Sequence, residues 1–115
     1  MLQAETGDLG EPLPNPEGPD HNTGRAAAFL KAIANKERLE LLWYLARGEA
    51  SVGELEKAFN TRQPTMSQRL AVLRKAGMVK TRRDGKTIYY RVTSEEALRF
   101  IVLVDELFRP PGNSD

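Results

Sequence analysis

The sequence predicts a mainly α-helical domain that carries one β-hairpin, and three observations in residues 51–92 support this prediction. A capped helix is followed by a short polar turn, a second helix begins at a proline, and a basic hairpin comes directly after that helix. This order of elements is typical of a winged helix-turn-helix, in which the hairpin forms the wing. We therefore expect that fold.

Two helices are predicted before this stretch. From about Thr23, apolar residues recur at helical spacing, and they form one face of a first helix. Asn35 can cap a second helix, which continues through a leucine-rich segment and ends near Gly48. We expect this second helix to pack behind the helix-turn-helix and to support it.

The helix-turn-helix itself begins at a capping box. Ser51 and Glu54 are three residues apart, so the serine hydroxyl and the glutamate can each accept from a free backbone amide of the other. The apolar stripe that follows is interrupted by polar residues at positions 60–63, which suit a turn. Pro64 then suits the first position of the second helix, and Gly77 marks its end with a left-handed residue.

Two strands are predicted after this helix, over Met78–Arg83 and Thr87–Val92, because β-branched and aromatic residues alternate along both. Asp84-Gly85 between them is a strong hairpin signal. The basic residues of the hairpin are Lys80, Arg82, Arg83, Lys86 and Arg91. A ribbon this basic beside a polar helix suits a wing that lies along phosphates.

A last helix is predicted from Ser94 to Phe108, with Thr93 and Glu96 as its capping box and Pro110 as its stop. Its apolar residues go nearly around the circumference, which is unusual for a helix on the outside of a small domain. A second copy of the same chain is the simplest partner for this surface. A two-fold dimer would place its two reading helices on successive major-groove faces of double-stranded DNA and would imply a palindromic site.

Charge divides the 115 residues into distinct parts. Residues 1–22 hold five acidic residues and no Lys or Arg, with several prolines and glycines, so we expect a flexible acidic tail. Residues 60–92 hold nine basic residues against one acidic residue, which is the pattern expected of a nucleic-acid site. The expected organisation is the tail at 1–22, one DNA-binding and dimerisation domain at 23–109, and a short C-terminal tail at 110–115.

Composition excludes several classes of function. The chain has no cysteine, which removes disulfides, thiolate metal sites and cysteine catalysis. No apolar run approaches the roughly 20 residues that a membrane span needs, and no secretory signal is visible, so we expect a cytoplasmic protein without a membrane partner. An enzyme is disfavoured because catalytic pairs and phosphate-binding glycine loops are lacking, and Ser67 has no neighbouring base. No cofactor is expected.

Four motifs resemble the ArsR/SmtB family of small dimeric winged-helix repressors. In chain order they are ANKERLELL, SVGELEKAF, QPTMSQRLAVLRKAGMV and RRDGKTIYYRV, and the resemblance covers about Ala26 to Phe108. They resemble the support helix, the helix before the turn, the recognition helix and the wing of the family. The resemblance implies a homodimer joined by the first and last helices, and a repressor that releases its operator when an inducer binds.

The resemblance also implies functional residues. The DNA-contacting positions are Gln63, Thr65, Ser67, Gln68 and Arg69 around the recognition helix, with Arg83 and Lys86 on the wing. These residue types agree with the role, because Gln can pair with adenine, Arg with guanine, and Ser or Thr with base or phosphate. The predicted dimerisation residues are Phe29, Leu30, Leu98, Ile101, Val102, Val104, Asp105 and Phe108.

The sensing residues of the family are not found in this sequence. The segments that hold metal ligands in the family contain no Cys or His here, and the only histidine, His21, lies in the acidic tail. Carboxylates alone select transition metals poorly, so no metal site is expected. The phrases SVGEL and SEEAL are closest to a thiol-sensing branch, whose cysteines would fall near Trp43 and Arg109; both thiols are absent. We expect Trp43 to be a core residue, and the alternative is that it lines a small cavity at the place of the missing thiol.

Because the sensing residues of the family are absent from this sequence, other interpretations stay open. The protein either responds to a non-redox signal or binds DNA constitutively without an effector of its own. A winged-helix module for protein interaction is a further alternative, with the acidic tail and the last helix as its contact surfaces. The acidic tail could also compete with DNA for the basic face. The basic wing favours DNA binding over the interaction module.

Overall fold

In the computed structural model, residues 23–111 are described, and they form five helices and three strands. The helices are α1 (Thr23–Ile33), α2 (Lys36–Ala46), α3 (Val52–Phe59), α4 (Thr65–Lys75) and α5 (Glu95–Phe108). The strands are β1 (Ala50–Ser51), β2 (Val79–Asp84) and β3 (Thr87–Val92). The expected acidic tail at 1–22 and positions 112–115 of the expected C-terminal tail lie outside the described residues.

The strands form one antiparallel sheet in the order β1-β3-β2. The hairpin of β2 and β3 was predicted, but its turn is one residue later than expected. Asp84 pairs with Thr87, so the two loop residues are Gly85 and Lys86 rather than Asp84-Gly85. Gly85 has a φ of 66°, and a two-residue hairpin loop favours glycine at its first position for this reason.

β1 was not predicted. Its two residues pair with the middle of β3, through Ala50 opposite Tyr90 and Ser51 opposite Tyr89. A strand of two residues carries no alternation that a sequence pattern could reveal, since its identity depends on a partner far along the chain. It joins the start of the helix-turn-helix to the central strand of the wing.

The helix ends of the helix-turn-helix follow the local chemistry. Ser51 Oγ accepts from the Glu54 amide at 3.1 Å, and the Glu54 carboxylate accepts from the Ser51 amide at 2.7 Å, which confirms the capping box. Asn60, with a φ of 50°, ends α3 in a left-handed conformation. Gly77 does the same after α4, with a φ of 79°, as the sequence indicated.

Two helix starts differ from the prediction. Helix α4 begins at Thr65, and Pro64 precedes it with its carbonyl accepting from the Gln68 amide at 3.0 Å. Helix α5 is capped by Ser94, whose Oγ accepts from the Ala97 amide at 3.0 Å, so the predicted Thr93 cap was wrong. The Thr93 amide donates to the Met78 carbonyl at 3.0 Å, which keeps Thr93 attached to the end of the sheet.

The core lies between α2, α3, α4, α5 and the base of the hairpin. Its most deeply buried large side chains are Leu41, Leu42, Leu45, Leu55, Met66, Leu70, Leu73, Met78 and Val79. Truncating one such leucine to alanine typically costs roughly 2–5 kcal/mol, because it removes buried area and leaves a cavity. The core therefore holds α4 in a fixed orientation, with one face inward and the other outward.

Candidate nucleic-acid interface

The outward face of α4 is polar. Met66, Leu70 and Leu73 are at most 1% exposed, which turns the intervening positions of the helix toward solvent. Thr65, Ser67 and Gln68 are exposed, and Arg69 is half-buried. The helix therefore presents hydrogen-bonding side chains on a surface whose orientation the core determines.

Gln63 is tied to the beginning of this helix. Its side-chain oxygen accepts from the Ser67 amide at 2.9 Å and also from the Ser67 hydroxyl. Pro64, in the capping position, makes no side-chain hydrogen bond to the helix. Gln63 supplies the missing acceptor for one of the free amides of the first turn. Gln63 is also one of the predicted DNA contacts, and its capping bond was not predicted from the sequence.

The recognition helix also borders the start of α2. A shallow, open cleft of about 230 Å³ lies between them, and Gln68 and Arg69 line it together with Arg38. The Arg38 guanidinium donates to the carbonyls of Ala32 at 2.6 Å and Lys31 at 3.2 Å. Arg38 thus binds the carboxyl end of α1, which is a role that its place in the sequence did not indicate.

The wing presents its cations unevenly. Arg83 and Lys86 are exposed near the hairpin loop. Arg82 is engaged instead: its Nε and Nη2 donate to the two carboxylate oxygens of Glu49 at 2.9 and 2.8 Å. The hydrogen bond from Arg82 lowers the pKa of Glu49 below its ordinary value, and the same bond raises the pKa of Arg82. Glu49 lies outside the hairpin, so no local pattern pointed to this pair.

The predicted dimerisation residues divide into two groups. Leu30, Leu98, Val102 and Phe108 are exposed, with Phe108 at 73%. Ile101 and Val104 are buried within their own chain. Two further exposed leucines on α5, Leu103 and Leu107, were absent from the predicted set.

The other two predicted interface residues make contacts within the chain. Phe29 is half-buried and packs edge-on against Phe100, with ring centroids 5.6 Å apart. Asp105 accepts a hydrogen bond from Arg109 at 2.5 Å, one turn along. Both side chains are therefore already engaged inside the protomer.

An open apolar groove of about 520 Å³ runs beside the exposed face of α5. Its lining comes from α1, α2, α5 and the segment between α1 and α2: Leu30, Ile33, Ala34, Leu39, Trp43, Phe100, Val104 and Phe108. Trp43 was expected in the core. It is half-buried, packs against the core with one side, and also lines this groove. The groove continues the exposed apolar surface of α1 and α5.

The described residues lack two features that other kinds of partner would require. Between residues 23 and 111, no three side chains of His, Cys, Asp or Glu come together in a way that could hold a metal ion. No helix in that part of the chain combines the length and the apolarity that crossing a bilayer requires.

Known proteins share this architecture. Residues 33–82 match a family model described as a helix-turn-helix domain. The biofilm growth-associated repressor of Agrobacterium fabrum is 47% identical over 105 residues, which cover 90% of this chain and 87% of the relative. The transcriptional activator HlyU of Vibrio cholerae is 39% identical over 89 residues, which cover 77% of this chain and 82% of the relative.

A solved structure extends the comparison to three dimensions. The homodimeric winged helix-turn-helix DNA-binding domain of Mb0332 from Mycobacterium bovis, a possible ArsR-family regulator, is 32% identical to this chain. It superimposes with a TM-score of 0.69 and covers 81% of this chain and 89% of its own. Fold and relatives together define a winged helix-turn-helix transcriptional regulator. Within that class, the chain belongs to the ArsR family, which confirms the resemblance seen in the sequence.

Proposed function

We propose that this protein is a homodimeric transcriptional repressor that binds a palindromic operator. The observation that carries the proposal is the polar outer face of α4, which the core holds in place beside an exposed basic wing. This arrangement suits a helix that enters the major groove while the hairpin lies along the phosphates. A regulator of chromosomal DNA acts in the cytoplasm of a bacterial cell, and we assign the whole of residues 23–109 to this one domain.

We assign base reading mainly to Gln68 and Arg69. The Gln68 side chain is exposed, and no hydrogen-bond partner for it is found among residues 23–111. Its amide can pair with both polar atoms of the adenine edge, and the Arg69 guanidinium can do the same with guanine. Thr65 and Ser67, nearer the start of the helix, suit the phosphates on either side.

The homodimer is proposed from the apolar surface of α1 and α5. Leu30, Val102, Leu107 and Phe108 are at least 50% exposed, and clusters of this kind mark protein interfaces. The homodimeric relative from M. bovis has the same fold. A dimer that reads successive major-groove faces would hold its two copies of α4 roughly 34 Å apart, one turn of DNA.

Repression is proposed from the relative in A. fabrum, which is named a repressor and is more similar to this chain than the activator from V. cholerae. Whether a bound regulator represses or activates transcription depends on where its operator lies relative to the promoter, and the same fold occurs in repressors and activators. An experiment must therefore measure binding and transcription together.

The test begins with selection of bound sites from random double-stranded DNA by the purified protein. We expect a palindrome whose half-sites are about one helical turn apart. Addition of the protein to a transcription reaction with that site over the promoter should lower transcript yield. Arg69→Ala should abolish both effects, whereas Arg47→Ala, at the exposed end of α2, should retain them. No enriched sequence, or a rise in transcript, would contradict the proposal.

A further inference from the structure

We propose that Glu49 is a positioning residue, which orients the wing by binding Arg82 and keeps that arginine away from DNA phosphates. The inference deepens the proposed function and rests on it. Glu49 lies directly before β1, whereas Arg82 lies in β2 at the opposite edge of the sheet. Their paired side chains therefore connect the two edge strands across the central strand β3.

The geometry of this pair is specific. Arg82 donates through Nε and Nη2 to both oxygens of one carboxylate, at 2.9 and 2.8 Å. This two-pronged arrangement fixes the relative orientation of both groups, which a single contact would not do. The guanidinium carbon also lies 4.3 Å from the centre of the Tyr89 ring, and Tyr89 is the cross-strand partner of Arg82 in β3. The ring and the carboxylate thus hold the same cation from two sides.

The pair links the wing to the helix-turn-helix. The residue after β1 begins α3, and Ser51 in β1 caps that helix. The covalent link of the hairpin to α4 passes through residues 76–78, at the far end from the loop. The backbone pairing of β1 with β3 is a second attachment, and Glu49 adds a third, partway along β2 on the other edge of the sheet. Attachments to both strands of the hairpin restrict its rotation about its base, and so they set the direction in which the wing leaves the domain.

The ion pair of Glu49 and Arg82 also affects which basic residues of the wing are available to contact DNA phosphates. The side chain of Arg82 is 47% exposed and that of Glu49 is 29% exposed, so solvent reaches both. The carboxylate occupies two of the five N–H donors of the Arg82 guanidinium and balances its charge locally. Arg83 and Lys86 lack such a partner among the ion pairs of residues 23–111. We assign phosphate contact to these two and not to Arg82.

The experiment compares Glu49→Gln, Arg82→Gln and the double variant with the wild type. Each protein is titrated onto the site selected by the wild type and onto a mixed-sequence duplex of the same length, over a series of KCl concentrations. Both single variants should bind the selected site about two- to fivefold more weakly, the range expected for loss of an exposed ion pair. The double variant should lose no more than either single variant, because both remove the same interaction.

The salt dependence separates orientation from phosphate contact. Arg82→Gln should leave the slope of log K against log salt unchanged, whereas Lys86→Ala should reduce the magnitude of that slope by about 1.8, which is about 0.9 for each wing of the dimer. Circular dichroism melts confirm that each variant is folded, and the exchanged pair Glu49→Arg with Arg82→Glu should recover affinity. A slope for Arg82→Gln as low as that for Lys86→Ala, additive losses in the double variant, or no loss at all would overturn the inference. Failure of the wild type to bind either duplex would instead refute the proposed function.

Discussion

The side-chain oxygen of Gln63 accepts hydrogen bonds from both the amide and the hydroxyl of Ser67. The first bond caps the recognition helix from the residue before Pro64. The second joins the Ser67 side chain to the same oxygen, so Gln63 contacts both the backbone and the side chain of Ser67. Gln63 and Ser67 were both predicted to contact DNA. In the folded chain, however, Gln63 is the hydrogen-bond acceptor that caps the helix, and Ser67 is the donor.

The capping bond predicts the effect of Gln63→Ala on stability. Removing the acceptor should lower the free energy of unfolding by about 0.5–2 kcal/mol, the usual cost of losing a helix cap. Urea denaturation followed by circular dichroism measures this change. Gln68→Ala on the same helix should stay within about 0.5 kcal/mol of the wild type, because Gln68 is exposed and uncoupled. Equal stabilities for the two variants would argue against the cap.

Gln68→Ala should act on specificity instead. Loss of a bidentate contact to adenine should weaken binding to the selected site by about 1–3 kcal/mol and leave binding to mixed-sequence DNA nearly unchanged. Competition titrations with both duplexes give this difference directly. If affinity for the two duplexes fell by the same factor, Gln68 would contact the DNA backbone and not a base.

The wing residues Arg83 and Lys86 should act through salt. Replacing either with alanine should reduce the magnitude of the slope of log K against log salt by about 1.8, since each of the two wings of the dimer neutralises one fewer phosphate. Fluorescence anisotropy over a range of KCl concentrations measures the slope. Lys31→Ala, at the end of α1 and away from the wing, serves as the control and should leave the slope as it is. If the slope were unchanged in both wing variants, the wing would not contact DNA phosphates.

The exposed face of α5 predicts the oligomeric state. Val102 is 58% exposed, and Val102→Glu would place a charge in the proposed interface. Sedimentation equilibrium should then find a monomer where the wild type is a dimer. Val72→Glu is a matched control, because Val72 is also exposed but lies on α4. A dimer that survives Val102→Glu would move the interface elsewhere.

An ion pair between α1 and α5 predicts a pH dependence. The hydrogen bond from Arg25, 3.0 Å from the carboxylate, lowers the pKa of Glu96 from its ordinary 4.5. A carboxylate with a lowered pKa stabilises the folded state above pH 4.5, and the contribution is lost as the pH falls through the folded value. Glu96→Gln should therefore be less stable than the wild type at pH 7, and the difference should shrink as the pH falls below 4.5. A difference that persists in acid would rule out this origin.

Local chemistry predicted most of the helical boundaries. The capping box of Ser51 and Glu54 needs only residues three apart, and the left-handed stop at Gly77 needs only one. At the start of α5, however, both Thr93 and Ser94 are residues that can cap a helix. Ser94 is the cap, because the Thr93 amide donates to the Met78 carbonyl at the end of the sheet.

Features that depend on distant residues were not visible in the sequence. Glu49 and Arg82 are paired by the sheet, and nothing near either residue indicates the other. The periodicity of α5 showed apolar residues on several faces but not which face its own chain covers. Ile101 therefore entered the predicted interface, although it lies in the core, and Leu107 was left out, although it is 64% exposed.

Ser51 belongs to two elements at once, since it caps α3 and pairs with Tyr89 in β3. Its backbone position is shared by the start of the helix-turn-helix and the middle of the wing. Because Ser51 and Tyr89 are distant in the sequence, this pairing is a non-local contact, and such contacts form slowly during folding. The contacts of the hairpin are local, whereas the pairing of Ser51 with Tyr89 closes the segment that contains α3, α4 and β2. The helix and the wing that form the DNA-reading surface should therefore come together in a slow, non-local step of folding.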